Sequence, residues 1–226
     1  MSRTIAAIFA HPDDEVLACG GVLAAHADAG DAVRIFIMAT GATSRGGDQS
    51  AYVAKLQEQA RAAAKVLGAA GVAFGDFPDN RMDSVPLLDV VKAIEDFLAE
   101  FPADVIYTHH GGDMNVDHGV INRAVATACR PLPGARPVEI LTCEINSSTE
   151  WGVAPLAPFV PTDFVGIAGS LERKVAALEC YAGEIRSWPH PRSVDGVRAL
   201  ARWRGSQCGQ EAAEAFALMR RVRSKP

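Results

Sequence analysis

Two short segments concentrate the side chains that could do chemistry: His11-Pro12-Asp13-Asp14-Glu15 and His109-His110-Gly111-Gly112-Asp113-Met114-Asn115-Val116-Asp117-His118. His11 and Asp14 stand three residues apart, so one tight turn can bring an imidazole and a carboxylate together. Both are zinc donors, and a catalytic zinc keeps one position open for water. His118 can complete a His₂Asp set. Asp13 cannot easily point the same way as its neighbour and could instead face the water as general base. Zinc would lower the pKa of that water towards ~7. The same donors accept Fe2+ or Co2+, so the ligand set alone does not choose the metal.

A plainer alternative exists for the first segment. Asp13, Asp14 and Glu15 suit the start of a helix, where carboxylates cap free N–H groups and meet the dipole. Capping and metal binding stay open on these five residues alone. A second His/Asp cluster favours the metal, because capping would have to apply twice by coincidence.

The elements that must position these segments follow from the pattern of short β-branched runs and alanine-rich stretches. Strands are expected at Thr4–Ala10, Ala32–Ala39, Val72–Phe74, Asp104–Thr108 and Val138–Cys143, with helices at about 15–29, 51–68, 86–100 and 118–129. Strand alternating with helix implies an α/β fold: a Rossmann-like open, mostly parallel sheet flanked by helices. The remainder reads as an irregular and helical C-terminal elaboration. It has a long loop over 144–169, one strand near Phe164–Ile167, and helices at about 170–182, 194–204 and 210–222. With no repeat or linker in view, residues 1–226 are expected to form one domain. In such sheets ligands collect outside the carboxyl ends of the strands, and both His/Asp segments directly follow strands.

Composition narrows the classes further. The chain has 226 residues, 49% of them hydrophobic, enough for a sizeable core. It carries 22 Lys+Arg against 27 Asp+Glu, a net charge of −5, and has no concentrated basic run for nucleic acid. No apolar stretch reaches the ~18 residues of a membrane span. The N-terminus leads straight into a strand-like segment, which points to the cytoplasm. The five cysteines show no CxxC pair, so neither a cysteine-zinc site nor a disulfide framework is expected. A nucleotide-binding domain is disfavoured, because no GxGxxG follows the first strand and Gly20-Gly21 falls inside a helix. The hydrophobic helices are compatible with a homo-oligomer.

The segment Ala10-His11-Pro12-Asp13-Asp14-Glu15 resembles the signature of the PIG-L/LmbE-type zinc-dependent N-deacetylases, which act on N-acetylglucosamine conjugates and related amino sugars. Asp117-His118 resembles the second metal motif of that family and Asp79-Asn80 its substrate loop; the likeness covers the first ~130 residues. The resemblance implies metal ligation by His11, Asp14 and His118, with Asp13 as general base. Asp117 would orient a histidine through a hydrogen bond. The chain departs from the family at Asn115, where many relatives carry a histidine. Asparagine can donate to an oxyanion but cannot supply a proton, which leaves His109 or His110, with His110 favoured, as the acid. The expected reaction is removal of an N-acetyl group from an amino sugar; a zinc amidase for a larger amide or thiol conjugate, and a non-catalytic zinc-binding domain, are the alternatives.

Other residues are read against simple turn or surface roles. Asp79 and Asn80 could take sugar hydroxyls, though Pro78-Asp79-Asn80 is also good turn chemistry. Arg45 could clamp an anionic group on the aglycone, and Lys55 falls where some relatives carry a basic residue. His190 and Arg192, in the Pro189–Ser193 loop, could close over the substrate or merely connect helices. Trp151 and Trp188 could stack on a sugar but fit packing better, and His26 reads as a helix residue of no special role.

Overall fold

The structure, a computed structural model, describes residues 2–41, 49–136 and 138–222. Five strands, β1 (Thr4–Phe9), β2 (Ala32–Ala39), β3 (Gly71–Phe77), β4 (Val105–His109) and β5 (Glu139–Cys143), pair in parallel in the order β3-β2-β1-β4-β5. Helices α1 (Asp14–Asp28), α2 (Ser50–Leu67), α3 (Leu87–Glu100) and α4 (Val116–Ala128) make the crossovers. The sheet continues through β7 (Ala213–Arg220), antiparallel to both β5 and the edge strand β6 (Asp163–Gly166). Helices α5 (Leu171–Glu179) and α6 (Val194–Cys208) complete the second half. The Rossmann-like sheet is therefore as expected.

Side-chain alternation along the strands divides the core in two. Ile5, Ala7 and Phe9 of β1 face the cluster that includes α1, α2, α5 and α6, while Ala6 and Ile8 face α3 and α4. Both faces are covered, so the parallel strands read as near-continuous apolar runs. Burying Phe9 completely contributes about 1.5–3 kcal/mol.

One expected helix is a strand. Residues 210–222, rich in Ala, Glu, Leu and Met, favour a helix by local propensity, yet 213–220 form β7. The slot between β5 and β6 supplies hydrogen-bond partners on both sides, and Ala213, Ala215 and Phe216 bury there. Tertiary pairing overrides propensity.

Helix α1, which carries the first His/Asp segment at its head, is broken at Cys19 (φ −142°). The break leaves backbone groups without helical partners. Glu214 of β7 accepts from Gly21 N at 2.9 Å and Val22 N at 2.7 Å, and Lys174 of α5 donates to Leu17 O at 2.8 Å. The two side chains then close on each other at 2.6 Å. Both ends of the break are satisfied from the C-terminal half.

Candidate active site at the carboxyl rim

The strand order reverses between β1 and β4, and the two His/Asp segments emerge side by side at that switch point. After β1 the chain turns sharply. Asp13 adopts φ 101°, in the left-handed region that disfavours a non-glycine residue by of order 1–3 kcal/mol. The Glu15 carboxylate accepts Asp13 N at 3.2 Å, while Asp13 O takes Val16 N and Leu17 N to start α1. Although Asp13 occupies the N-cap position, its side chain makes no capping bond. It instead pairs with Arg192, Oδ2 to Nη1 at 3.1 Å. Capping does hold in the second segment, where Asn115 Oδ1 accepts Asp117 N at 2.9 Å at the head of α4.

The turn brings three ligand atoms together. Asp14 Oδ2 lies 3.2 Å from His11 Nδ1 and 3.2 Å from His118 Nε2, and those nitrogens are 3.4 Å apart. Zinc bound at about 2.0–2.1 Å with tetrahedral angles spaces its ligands roughly 3.3–3.4 Å apart. His11, Asp14 and His118 could therefore hold a metal ion.

Each histidine is held from behind. His11 Nε2 lies 3.0 Å from Asp117 Oδ2 and 3.3 Å from Asp79 Oδ1. Asp117 also takes Asn80 N at 2.7 Å and Met82 N at 2.9 Å, which ties the loop after β3 to the site. His118 Nδ1 lies 2.9 Å from Asp113 Oδ1, and Asp113 accepts the hydroxyls of Ser148 and Thr149. Such partners fix ring orientation and raise the basicity of a ligand histidine. Burial works against charge on His11, but hydrogen bonds to Asp117 and Asp14 outweigh it and push the imidazole up to about 10. Burial opposes ionisation of Asp14 too, yet His118 and His11 hold it well below the usual carboxylate range. Positive charge is favoured where the three ligand atoms meet. Burial lifts Asp13 well above the usual range against the pull of Arg192, and raises Glu15 to about 7 despite the bond from Tyr181 Oη at 2.6 Å. Beneath His118, His109 stacks with ring centroids 3.7 Å apart and accepts Ala10 N at 2.8 Å; burial and the charge of His118 hold its imidazole well below the ordinary 6.5.

Above the cluster opens a cavity of about 240 Å³. One wall is built by His11, Asp13, Asp14, Asp79, Asn80, Asn115 and His118; the other by Ser147, Ser148, Glu184 and Arg192, with Gly41 and Leu56 alongside. Gly41, at φ +75°, comes so close that a Cβ would stand 2.7 Å from the Pro12 ring.

A family model described as GlcNAc-PI de-N-acetylase (PIG-L) matches residues 6–129. The chain belongs to the PIG-L family. The uncharacterized deacetylase YaiS of Escherichia coli is 35% identical over 136 residues, which cover 58% of this chain and 70% of YaiS. The 4-oxalmesaconate hydratase of Pseudomonas putida is 27% identical over 205 residues, covering 81% of this chain and 74% of the hydratase. Among solved structures, N,N'-diacetylchitobiose deacetylase of Pyrococcus horikoshii superposes with a TM-score of 0.76 at 18% identity, over 96% of this chain and 84% of that one. At that identity the likeness speaks for the fold alone.

Against this PIG-L frame, the expected site residues separate into groups. His11, Asp13, Asp14, Asp79, Asn80, Asn115, His118 and Arg192 all line the cavity, with Asp117 buried behind His11. His110 is not among the lining residues. Its Nε2 lies 2.9 Å from Ala157 O and its ring meets Phe159 edge-on. His190 is likewise absent from the lining; it accepts Arg192 N at 3.1 Å and packs edge-on with Trp151. Lys55 is exposed on α2, Trp151 and Trp188 are exposed rather than packed in the core, and Arg45 lies outside the described residues. His26 is buried against Asp31 and Tyr107 and is not among the residues lining this cavity.

Sequence reasoning missed Asp113, Glu15, Ser147, Ser148 and Glu184 as site residues. Asp113 and Glu15 sit inside the two segments, where Asp113 was an unassigned acid and Glu15 was read only as a helix-start carboxylate. The serines and Glu184 carry no local signal, because they reach the cavity from loops after β5 and α5.

Proposed function

We propose that this PIG-L protein is a zinc-dependent N-deacetylase acting on an N-acetylated amino sugar or N-acetylglucosamine-containing conjugate. The observation that carries the reading is the mutual spacing of His11 Nδ1, Asp14 Oδ2 and His118 Nε2 at the floor of a cavity that also receives the Asp13 carboxylate. Bound there, a divalent ion supplies a Lewis acid for the acyl carbonyl and lowers the pKa of the attacking water.

The chain's own residues do the rest. Asp13 accepts the proton of the water as its oxygen adds to the acyl carbon. Asn115 carries two amide hydrogens; one goes to Asn80 Oδ1 at 2.9 Å, leaving the other to meet the oxyanion. When the C–N bond breaks, the leaving nitrogen needs a proton. His110 is engaged with Ala157 O, so Asp13 returns to the leaving nitrogen the proton it took. The water's second proton stays with the acetic acid and then passes to the amine, giving acetate and an ammonium group. Asn80 and the Asp79 loop meet sugar hydroxyls. Asp79 itself stands against His11, which ties substrate contact to ligand orientation.

The test is metal content of wild type and His118→Ala, with amine release from a panel of N-acetylated sugars. About one zinc per chain, lost with activity in the variant, supports the reading. No metal after reconstitution refutes it. The hydratase relative raises water addition to a carbon–carbon double bond at the same cluster. An unsaturated dicarboxylic acid in the panel, consumed without amine release, would establish that instead.

A further inference from the structure

From sequence, Arg192 could close over the substrate or merely sit in a connector between helices. Its surroundings assign it another task. The guanidinium is anchored twice: Nη1 meets Asp13 Oδ2 at 3.1 Å, and Nε donates to Ser147 Oγ at 2.6 Å. Glu184 Oε2 approaches the same Nη1 at 4.0 Å. Its backbone is equally constrained. Arg192 N bonds His190 Nδ1 at 3.1 Å, Ser193 caps α6 by accepting Gly196 N at 2.9 Å, and Asn146 Nδ2 donates to Pro191 O at 3.2 Å. An arginine held this way by a carboxylate and a hydroxyl is poorly placed to swing onto an anionic ligand, which would have to displace Asp13.

The other half of the pair needs holding. Asp13 sits in a left-handed backbone conformation, almost fully buried, immediately before two further acids, Asp14 and Glu15. Glu15 secures its N–H. Its side chain has one polar partner among the described residues, Arg192, and that partner takes Oδ2 alone, on a residue that lines the cavity. A bidentate grip on both oxygens would block the base; the single contact orients it.

We propose that Arg192 is a positioning residue: braced by Ser147, it holds one oxygen of Asp13 so that the other faces the reacting water. This rests on the deacetylase reading for its consequence, not for its geometry. It makes the C-terminal half of the chain part of the catalytic apparatus, acting through Asp13.

The experiment compares wild type, Arg192→Ala, Ser147→Ala, Asp13→Asn and the Asp13→Asn/Arg192→Ala double variant, each with metal content, kcat and KM. Arg192→Ala is expected to lower kcat roughly 10²-fold, the scale of a misplaced reacting group, with KM nearly unchanged and metal retained. Added guanidinium should restore part of the rate. Ser147→Ala should give a smaller loss in kcat alone. In the Asp13→Asn background, Arg192→Ala should cost nothing further, since residues acting as a unit are not additive. A rise in KM at constant kcat, or a full additional loss in the double variant, overturns the inference in favour of a substrate clamp. Crystal structures of metal-free wild type and Arg192→Ala provide a readout that needs no turnover. A changed Asp13 rotamer in the variant supports the inference, and an unchanged one overturns it. If wild type turns over no N-acetyl sugar, the deacetylase reading fails while this structural comparison still decides the role of Arg192.

Discussion

Among the described residues, two buried groups of charges are built on opposite plans. At the break in α1, one lysine meets one glutamate. Lys174 and Glu214 satisfy each other and the backbone groups exposed by the break, and both are almost fully excluded from solvent. At the carboxyl rim, Asp13, Asp14, Glu15, Asp79, Asp113 and Asp117 crowd around three histidines and one arginine, beside a cavity. A closed, balanced pair stabilises a backbone irregularity. An acid-rich cluster open to a cavity leaves room for a cation and for chemistry. Buried charges of the first kind belong to the fold, whereas clusters of the second kind are where candidate functional sites are sought.

Substitutions can break this contrast. Asp13→Asn is expected to lower kcat by about 10²–10⁴-fold, as for loss of a general base, with melting temperature and metal content near wild type. Glu214→Gln should do the reverse. It leaves Lys174 buried and unpaired, a loss of about 3–5 kcal/mol in urea unfolding, while activity per folded molecule is retained. Adding Lys174→Met should recover part of that stability. Stability loss from Asp13→Asn as large as from Glu214→Gln would erase the distinction.

Smaller effects sharpen it. Asp117→Asn and Asp113→Asn remove the groups behind His11 and His118 and should weaken metal affinity about 10–100-fold, measured by competition with a chromophoric chelator. Asn115→Ser keeps a good N-cap for α4, so unfolding should stay within about 0.5 kcal/mol of wild type. It removes the amide donor, so kcat should still fall.

The smallest effect lies in neither cluster. Burial holds the His26 imidazole below its ordinary 6.5, against the opposing pull of Asp31. The unfolded chain therefore binds the proton first as pH falls, and stability should decline below about pH 6.5 until His26 protonates in the folded state. His26→Gln should flatten that part of the acid limb, seen as a smaller change in urea midpoint between about pH 7.5 and 5.5.

Much of the rim was legible before the fold was known. His11, Asp13, Asp14 and His118 stand out because imidazoles and carboxylates are the usual donors to a metal, and because a short turn keeps His11 and Asp14 at neighbouring positions. The five parallel strands were legible too, since strands buried on both faces are apolar throughout. Position β7 was not. Its alanines and Glu214 suit a helix locally, and only the slot between β5 and β6 makes them a strand.

Arg192 marks the boundary between the two kinds of knowledge. Its charge and its proline-framed loop can be read from the chain, but its partner cannot, because Asp13 lies 179 positions away. The same holds for Glu214, whose partners Gly21 and Val22 are separated from it by nearly the whole chain. Residue type and local spacing are set by the sequence, so it carried the family, the five parallel strands and one wall of the cavity. Pairings across such separations depend on how strands order and helices pack. Only the folded chain could decide which buried charges are closed on one another and which are left open to the cavity.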